Sequence, residues 1–500
     1  MDLLHDLGLG FAVAFAPSNL LFAALGALLG TLSGVLPGIG PVAAIAMLLP
    51  ATYALGATPA LIMLAGVYYG AQYGGSTSAI LVNVPGEPVS PVTAIDGYQM
   101  ARQGRAGAAL SVAALGSFFA GCVGTAIIAA LALPLAELVF RFGPAEYFSL
   151  MVLGLVGSVV LASGSLIKGL AMAVLGLLLA QVRIDGASGA ARFGFGQPGA
   201  GIGVVVIAVG MFAVGEIIAN LGRPERRREV FTGKVSGLWP RRRDFAEAWP
   251  SVLRGTTLGA LLGTLPGAGA LLASFASYSL EKKVVRAPRV PFGKGAIQGV
   301  AGPESANNAG AQTSFVPTLT LGIPPNAVTA LIVGAMVLKG IAPGPQGMTS
   351  NPQLFWGLIA SMWVGNAMLL ALNLPLIGVW IKALAVPYRF VFPALTLGCC
   401  IGVYALAGRP FDLYLTALFA CLGYLFHKLA CEPTPLLLGF VLEPIMEENL
   451  RRALGLSNGD WGTLLTRPLS SAFLIAALLL MVLVAWPSIR RQRAVAFSDE

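Results

Sequence analysis

Read for polar and apolar positions, the chain is a succession of long apolar stretches parted by short polar ones. Stretches near 108–133, 147–163, 166–181, 200–221, 353–374, 391–407, 413–430 and 469–486 approach the roughly 20 residues that cross a bilayer core as helix. A membrane barrel would instead alternate over about ten residues. The pattern predicts an all-α polytopic membrane protein.

Two places break the apolar pattern in the same way. "GVLPGIG" at Gly34 to Gly40 and "GTLPGAG" at Gly263 to Gly269 each put a Pro-Gly pair inside a stretch otherwise fit to be helix. Aligning Pro37 with Pro266, an offset of 229, also superposes Gly26, Gly30, Gly34, Gly38 and Gly40 on Gly255, Gly259, Gly263, Gly267 and Gly269. A second register, at 236, pairs "GGSTS" (Gly74 to Ser78) with "GAQTS" (Gly310 to Ser314), Gly86 with Gly322, Pro88 with Pro324, and Val92-Thr93-Ala94 with Val328-Thr329-Ala330. The chain therefore reads as a duplicated half.

Loop charge gives the relative sense of the halves. After the first Pro-Gly pair "PATYALGATPA" carries no cation, whereas "EKKVVRAPRVPFGKG" after the second carries Lys282, Lys283, Arg286, Arg289 and Lys294. The loop after "GGSTS" holds Arg102 and Arg105; its counterpart "IAPGPQGMTSNPQ" holds none. Since cytoplasmic loops hold the excess of Lys and Arg, corresponding loops face opposite sides, as in an inverted repeat. Gly255 to Leu280 must then enter and leave on one face, on arms too short to span, and reads as a re-entrant helical hairpin with Pro-Gly at its tip.

The expected organisation is a first half over 18–221, with hairpin tip 37–40 and a broken helix over 61–91. A basic cytoplasmic linker follows over 222–254, then a second half over 255–487 with tip 266–269 and a broken helix over 301–340, and a polar tail over 488–500. The helix breaks are expected around "GGSTS" and "VPGEP" in one half and around "NNAGAQTS" and "GIPP" in the other. Strict inversion places the C-terminus outside, while Arg490, Arg491 and Arg493 favour inside; "TPLLLGFVLEPIMEENL" crosses, re-enters or lies on the surface.

Composition narrows the class further. Hydrophobic residues at 56%, charged residues at 11% and a mean hydropathy of +0.81 exclude an ordinary soluble domain. The net charge of +9 is concentrated in "RPERRREVFTGKVSGLWPRRRD" and a few short loops, which fits the positive-inside rule and membrane lipid rather than nucleic acid. The N-terminus has Asp2 and Asp6 where a signal peptide carries cations, so it is expected to be retained. Cys122, Cys399, Cys400, Cys421 and Cys431 lack metal spacing and read as small packing residues. With His5 and His427 alone, no HExxH, and no base beside Ser76 or Ser78, an enzyme is not expected. Lys168 and Arg183 read as interfacial anchors.

A helix interrupted within the membrane exposes unpaired N–H groups at one new end and unpaired carbonyls at the other, able to hold an anion and a cation respectively. The side chains at the interruptions suit that task. The candidate substrate-binding residues are Gly38, Gly40, Ser76, Thr77, Ser78, Asn83, Gly267, Gly269, Asn308, Gln312, Thr313 and Ser314. Candidates for a Na⁺ site are Gly38, Thr77, Gly267, Asn307, Thr313 and Glu304, with Glu87 a second acidic residue near a break. Small residues also let helices pack closely, and for the GxxxGxxxG flanks that reading stands beside the functional one.

The residues "GVLPGIGP", "GGSTSAILVNVPGEP" followed by "DGYQMARQGRAGAAL", "GTLPGAGA", "GVAGPESANNAGAQTSFVPTLTLGIPPNAVTALIVGAMVLKGI" and "GPQ" together resemble the large membrane subunit of the tripartite tricarboxylate transporter family, TctA-like proteins, over nearly the whole chain. The resemblance implies import of citrate-like di- or tricarboxylates across the bacterial inner membrane, with Na⁺ or H⁺ as coupling ion and no other cofactor. It further implies a small integral membrane subunit and a periplasmic solute-binding protein as partners; a second copy of the chain is a further candidate partner. The hairpin and broken-helix plan is also similar to that of elevator transporters, in which a transport domain slides against a scaffold. The rival readings are a passive anion channel and a transporter for non-carboxylate organic solutes.

Overall fold

The computed structural model describes residues 3–485 other than 37, 85, 163–164, 186–187, 194–200, 222–234, 236, 266–268, 385 and 387. In the first half the helices are α1 (Leu3–Ala14), α2 (Pro17–Val35), α3 (Gly40–Leu48), α4 (Ala57–Val82), α5 (Pro91–Met100), α6 (Ala106–Val139), α7 (Pro144–Leu161) and α8 (Leu166–Ala180). Then come α9 (Val204–Ala208) and α10 (Gly215–Leu221), joined through a wider π turn over Val209–Val214. The second half contains α11 (Arg242–Leu262), α12 (Gly269–Val284), α13 (Gln298–Thr313), α14 (Phe315–Thr320), α15 (Ala327–Leu338), α16 (Pro345–Ser350), α17 (Pro352–Asn373) and α18 (Ile377–Leu384). It closes with α19 (Tyr388–Ala407), α20 (Pro410–Lys428), α21 (Thr434–Leu456), α22 (Thr463–Thr466) and α23 (Pro468–Ala485).

Six helices among the described residues are long and apolar enough to cross a membrane: Pro17–Val35, Pro91–Val139, Pro144–Leu161, Val204–Leu221, Pro352–Asn373 and Pro468–Ala485. The apolar stretches of the sequence therefore fold as the helices they predict.

The glycine rows are helix crossings. α2 lies along α4, and α11 along α13. A Cβ at Gly26, Gly30 or Gly34 would collide with the carbonyl oxygens of Met63, Val67 and Ala71; one at Gly255, Gly259 or Gly263 would collide with those of Gly302, Ala306 and Gly310. Partner carbonyls recur every fourth residue, one helical turn, so each row forms a backbone-to-backbone seam. The partners in the two seams lie 239 positions apart, three more than the 236 read from "GGSTS" and "GAQTS". The pairing of hairpin to helix has slipped by nearly one turn between the halves.

Two expectations need correcting. α4 runs unbroken through "GGSTS" and α13 through "NNAGAQT". The hydroxyls of Ser76 and Thr77 donate to the Gln72 and Tyr73 carbonyls one turn back, and the helical ladder persists around them. The interruptions fall at the other two expected places, "VPGEP" and "GIPP", which are aligned in the two halves. After α4, Asn83 turns left-handed (φ 54°) and the chain restarts at Pro91; after α14, Gly322 has φ 73° and Asn326 caps α15 by accepting from the Thr329 N–H at 2.9 Å. The hairpin arms also differ from expectation. α2 has 19 residues and is itself of spanning length, whereas α3 has nine; α11 starts at Arg242, inside the stretch read as linker, and continues for 21 residues. Pro266 and Gly267 of the second tip lie outside the described residues, but Gly269, opening α12, sits directly against the Leu262 carbonyl.

Buried carboxylates tie the elements together. Glu281 of α12 accepts from Arg254 of α11 (2.6 and 2.8 Å) and from Ser251 (2.7 Å), joining the two arms of the second hairpin at its base. Asp96 of α5 accepts through Oδ1 from the backbone N–H groups of Gly293, Gly295 and Ala296, each at 2.8 Å, and through Oδ2 from the Tyr278 hydroxyl at 2.9 Å. It thereby staples the loop before α13 to the other half. Replacing Asp96 with Ala leaves the two buried donors of Gly295 and Ala296 unpaired, besides the more accessible Gly293 N–H and Tyr278 hydroxyl, and is expected to cost about 3 kcal/mol or more. A fall in the melting temperature of the detergent-solubilised chain measures this; an unchanged midpoint refutes it. On another face, Arg183 pairs with Glu443 (2.8 Å) and Glu447 (2.5 Å) of α21, and Arg192 with Glu447 (2.6 Å). Arg183 is thus an ion-pair partner rather than a lone anchor.

Candidate functional site

The polar residues of the repeat converge where α13 crosses the first break. Glu304 of α13 is buried, and its two carboxylate oxygens accept from Ser76 of α4 and Thr93 of α5. Glu87, in the break between α4 and α5, is also buried; its Oε1 accepts from Asn307 Nδ2 at 3.1 Å and Ser90 Oγ at 3.2 Å. Asn307 follows Glu304 by three residues and shares its face of α13, so both carboxylates meet on one side of one helix. Gly75 makes room for this: a Cβ there would lie 2.6 Å from Glu87 Cγ. The contacts are reciprocal, since the first half holds the second half's Glu304 and the second half holds the first half's Glu87.

Every one of these donors is neutral. The ion pairs among the described residues all lie elsewhere. Two carboxylates held away from water without a fixed counter-charge, beside hydroxyl and amide oxygens, form a frame that can take up a small cation. The Asn307 Oδ1 atom adds a buried acceptor that lacks a partner.

The remaining candidates are distributed around this centre. Asn308 Nδ2 donates to Ser117 Oγ of α6 at 2.7 Å. Thr77 lines a small cavity with Tyr73, Ser76, Ser117 and Asn373. Ser78 reaches the Gly34 carbonyl of the first hairpin (3.4 Å), as Thr313 reaches the Gly259 carbonyl of the second (3.4 Å). Ser314 donates to the Ala311 carbonyl at 2.7 Å. Gly38 adopts φ 87°, and its carbonyl accepts from Asn220 Nδ2 at 3.0 Å, while Gly40 opens α3 with φ 58°. Both ends of the Gln312 amide lack a partner among the described residues.

Some candidates are not brought together. Asn83 is exposed and serves as a left-handed helix terminator, a role its short polar side chain tolerates. The proposed Na⁺ ligands divide, with Glu304, Asn307 and Thr313 on α13, Thr77 on α4, Gly38 at the first hairpin tip, and Gly267 outside the described residues. Thr93 and Ser90 were absent from the candidates. Thr93 had a signal, because the repeat pairs it with Thr329; Ser90 had none, as its role depends on how the break folds back.

Comparison with known proteins gives the family. The chain matches the "Tripartite tricarboxylate transporter TctA family" over residues 20–438. It is 56% identical over 502 residues, covering all of both chains, to an "Uncharacterized 52.8 kDa protein in TAR-I ttuC' 3'region" of Agrobacterium vitis. A second protein of that organism, "Uncharacterized protein in TAR-II ttuC' 3'region", is 55% identical over 242 residues, which is 48% of this chain and all of the relative. No solved structure matches. By this match across most of its length, the chain belongs to the tripartite tricarboxylate transporter TctA family.

Proposed function

We propose that the chain is the large membrane subunit of a secondary active transporter that imports di- or tricarboxylates across the bacterial inner membrane together with Na⁺ or H⁺. A periplasmic solute-binding protein delivers the substrate, and a small integral membrane subunit completes the complex. The observation that carries the reading is the pair of buried carboxylates, Glu87 and Glu304, held by neutral donors that include, for each, side chains of the opposite half. An ionised carboxylate in that setting is costly, and a bound cation neutralises it. Coupling is also required energetically, because an interior-negative potential opposes entry of each negative charge by about 2.3 kcal/mol per 100 mV.

The two halves act as an inverted repeat, supported by the opposite loop charges and by breaks at aligned positions. Its chemistry is not symmetric: at the 236 offset Glu304 corresponds to Tyr68, and Glu87 to Ile323. The cation is therefore bound at one break only. The hairpins and broken helices α2 to α5 and α11 to α15 form a transport domain that slides against a scaffold including α6 and α17. Cysteine crosslinks locking the first hairpin to α17 are expected to stop uptake while leaving substrate binding intact; full uptake after locking refutes the sliding model.

The reading as a whole is tested in proteoliposomes holding the chain, the small subunit and the binding protein, with citrate as probe and an imposed Na⁺ or pH gradient. Saturable uptake that follows one gradient is expected. A conductance that neither saturates nor needs a counter-ion assigns the chain to the channels instead.

A further inference from the structure

A second polar group lies between α4, α6, α13 and α17, apart from the two carboxylates. Tyr69 and Gln312 are each 1% exposed and Asn366 is 0% exposed. Yet the Tyr69 hydroxyl, both ends of the Gln312 amide and both ends of the Asn366 amide have no hydrogen-bond partner among the described residues. Buried amides are almost always bonded, and one left bare at both ends in a membrane interior is unfavourable. Five such atoms on α4, α13 and α17, which all pack on α6, point to something that supplies the missing partners.

Three glycines admit these side chains against the backbones of neighbouring helices. A Cβ at Gly121 of α6 would lie 2.6 Å from Asn366 Oδ1, and one at Gly124 would lie 2.8 Å from Gln312 Cβ. These two positions are three apart and share a face of α6, so the Asn366 amide and the base of the Gln312 side chain meet the same strip of that helix. A Cβ at Gly365, beside Asn366, would lie 2.5 Å from the Tyr69 hydroxyl oxygen. The phenol and the two amides thus form one group, contributed by α4 and α13 on one side and α17 on the other.

The chemistry of the group selects its ligand. Two amide N–H₂ groups and a phenol are neutral donors, suited to carboxylate oxygens; the two amide carbonyls beside them are acceptors and need a hydroxyl donor. We propose that Tyr69, Gln312 and Asn366 bind the transported substrate and that they favour a hydroxycarboxylate over a carboxylate lacking the hydroxyl. This assignment rests on the transport reading and adds to it where the substrate sits and which class is preferred. Gln312 follows Glu304 by eight residues on α13, about 12 Å along the helix, and Tyr69 precedes Ser76 by seven on α4. The same two helices therefore carry substrate and cation, which lets one movement transfer both.

The test is uptake by the full chain with its two partner subunits in proteoliposomes, with citrate and tricarballylate, which is citrate without its hydroxyl, as probes. Wild type is expected to show the lower KM for citrate. Asn366→Leu and Tyr69→Phe are expected to raise the citrate KM about tenfold or more and to narrow the gap between the probes. Both purified variants are expected to melt at or above the wild-type temperature, because a bare buried polar atom has been removed. Tyr69→Phe takes away one oxygen and little packing, so it remains informative should the asparagine variant not fold. Wild-type KM and wild-type discrimination in Tyr69→Phe and in any folded Asn366→Leu overturn the assignment while the transport reading stands. Absence of saturable uptake of either probe by the wild-type chain overturns the transport reading, and this assignment with it.

Discussion

Replacing Glu304 with Gln is expected to abolish gradient-driven accumulation of substrate, lowering the initial rate at least about a hundredfold, the order associated with losing one buried, charge-assisted contact set. Gln has nearly the shape of Glu and still accepts from Ser76 or Thr93 through its carbonyl, so insertion and helix packing should survive. What disappears is the charge that, in the proposed coupling, a co-transported cation neutralises. The substitution also distinguishes the two coupling ions. If H⁺ is carried, Gln imitates the loaded, neutral side chain, and exchange of internal for external substrate should persist without net accumulation. If Na⁺ is carried, the ligand itself is lost and exchange fails too. Wild-type accumulation in a folded Glu304→Gln transporter would show that this carboxylate takes no part in coupling. Glu87→Gln should weaken accumulation as well, because Glu87 meets the same helix face through Asn307.

The second large effect is expected at the helix seams. Leu in place of Gly259 puts a side chain where the Ala306 carbonyl lies, with the Ala309 methyl only 2.8 Å from the new Cβ. A carbonyl in a helical ladder cannot rotate away as a side-chain tip can, so α11 must separate from α13 along the whole crossing. The expected cost is about 3 kcal/mol or more, the upper range for an overpacked core, and includes loss of contacts on both sides of the substitution. Gly30→Leu should act alike, since its Cβ meets the Val67 carbonyl of α4. Gly398, exposed on α19 with no neighbour within 4 Å, is the control, and Leu there should be tolerated. Yield of folded protein from membranes and the melting temperature in detergent measure the three variants. Equal stability of Gly259→Leu and Gly398→Leu would refute the seam.

Both predictions concern residues whose importance was visible in the sequence for reasons only partly related to what they do. The glycine rows were evident from their spacing, but spacing alone left open whether they serve packing or a ligand; the carbonyls facing them assign them to packing. Glu304 was visible as an acidic residue within an apolar region, whereas its donors were not. Ser76 was selected as a residue at a helix break, and it lies inside an unbroken helix. It reaches Glu304 because α4 and α13 cross, which is a property of the fold and not of the local sequence.

By itself, the sequence determined the elements and their repetition. Apolar runs of spanning length must be helices in a membrane, since every backbone donor and acceptor there has to be satisfied within the chain. Pro-Gly pairs and glycine rows repeat at a fixed offset, and loop charge carries a side preference that is local and additive. The tertiary structure decided which of the expected breaks are real, which carboxylates share a face, and which polar atoms remain without partners among the described residues. Those outcomes depend on contacts between residues more than 200 positions apart, such as Ser76 with Glu304 and Glu87 with Asn307. Periodicity cannot report them, because a helix displaced by one turn keeps its pattern and exchanges all its partners. The slip of three residues between the two seams is such a displacement, and it is why the repeat located the site while the packing chose its members.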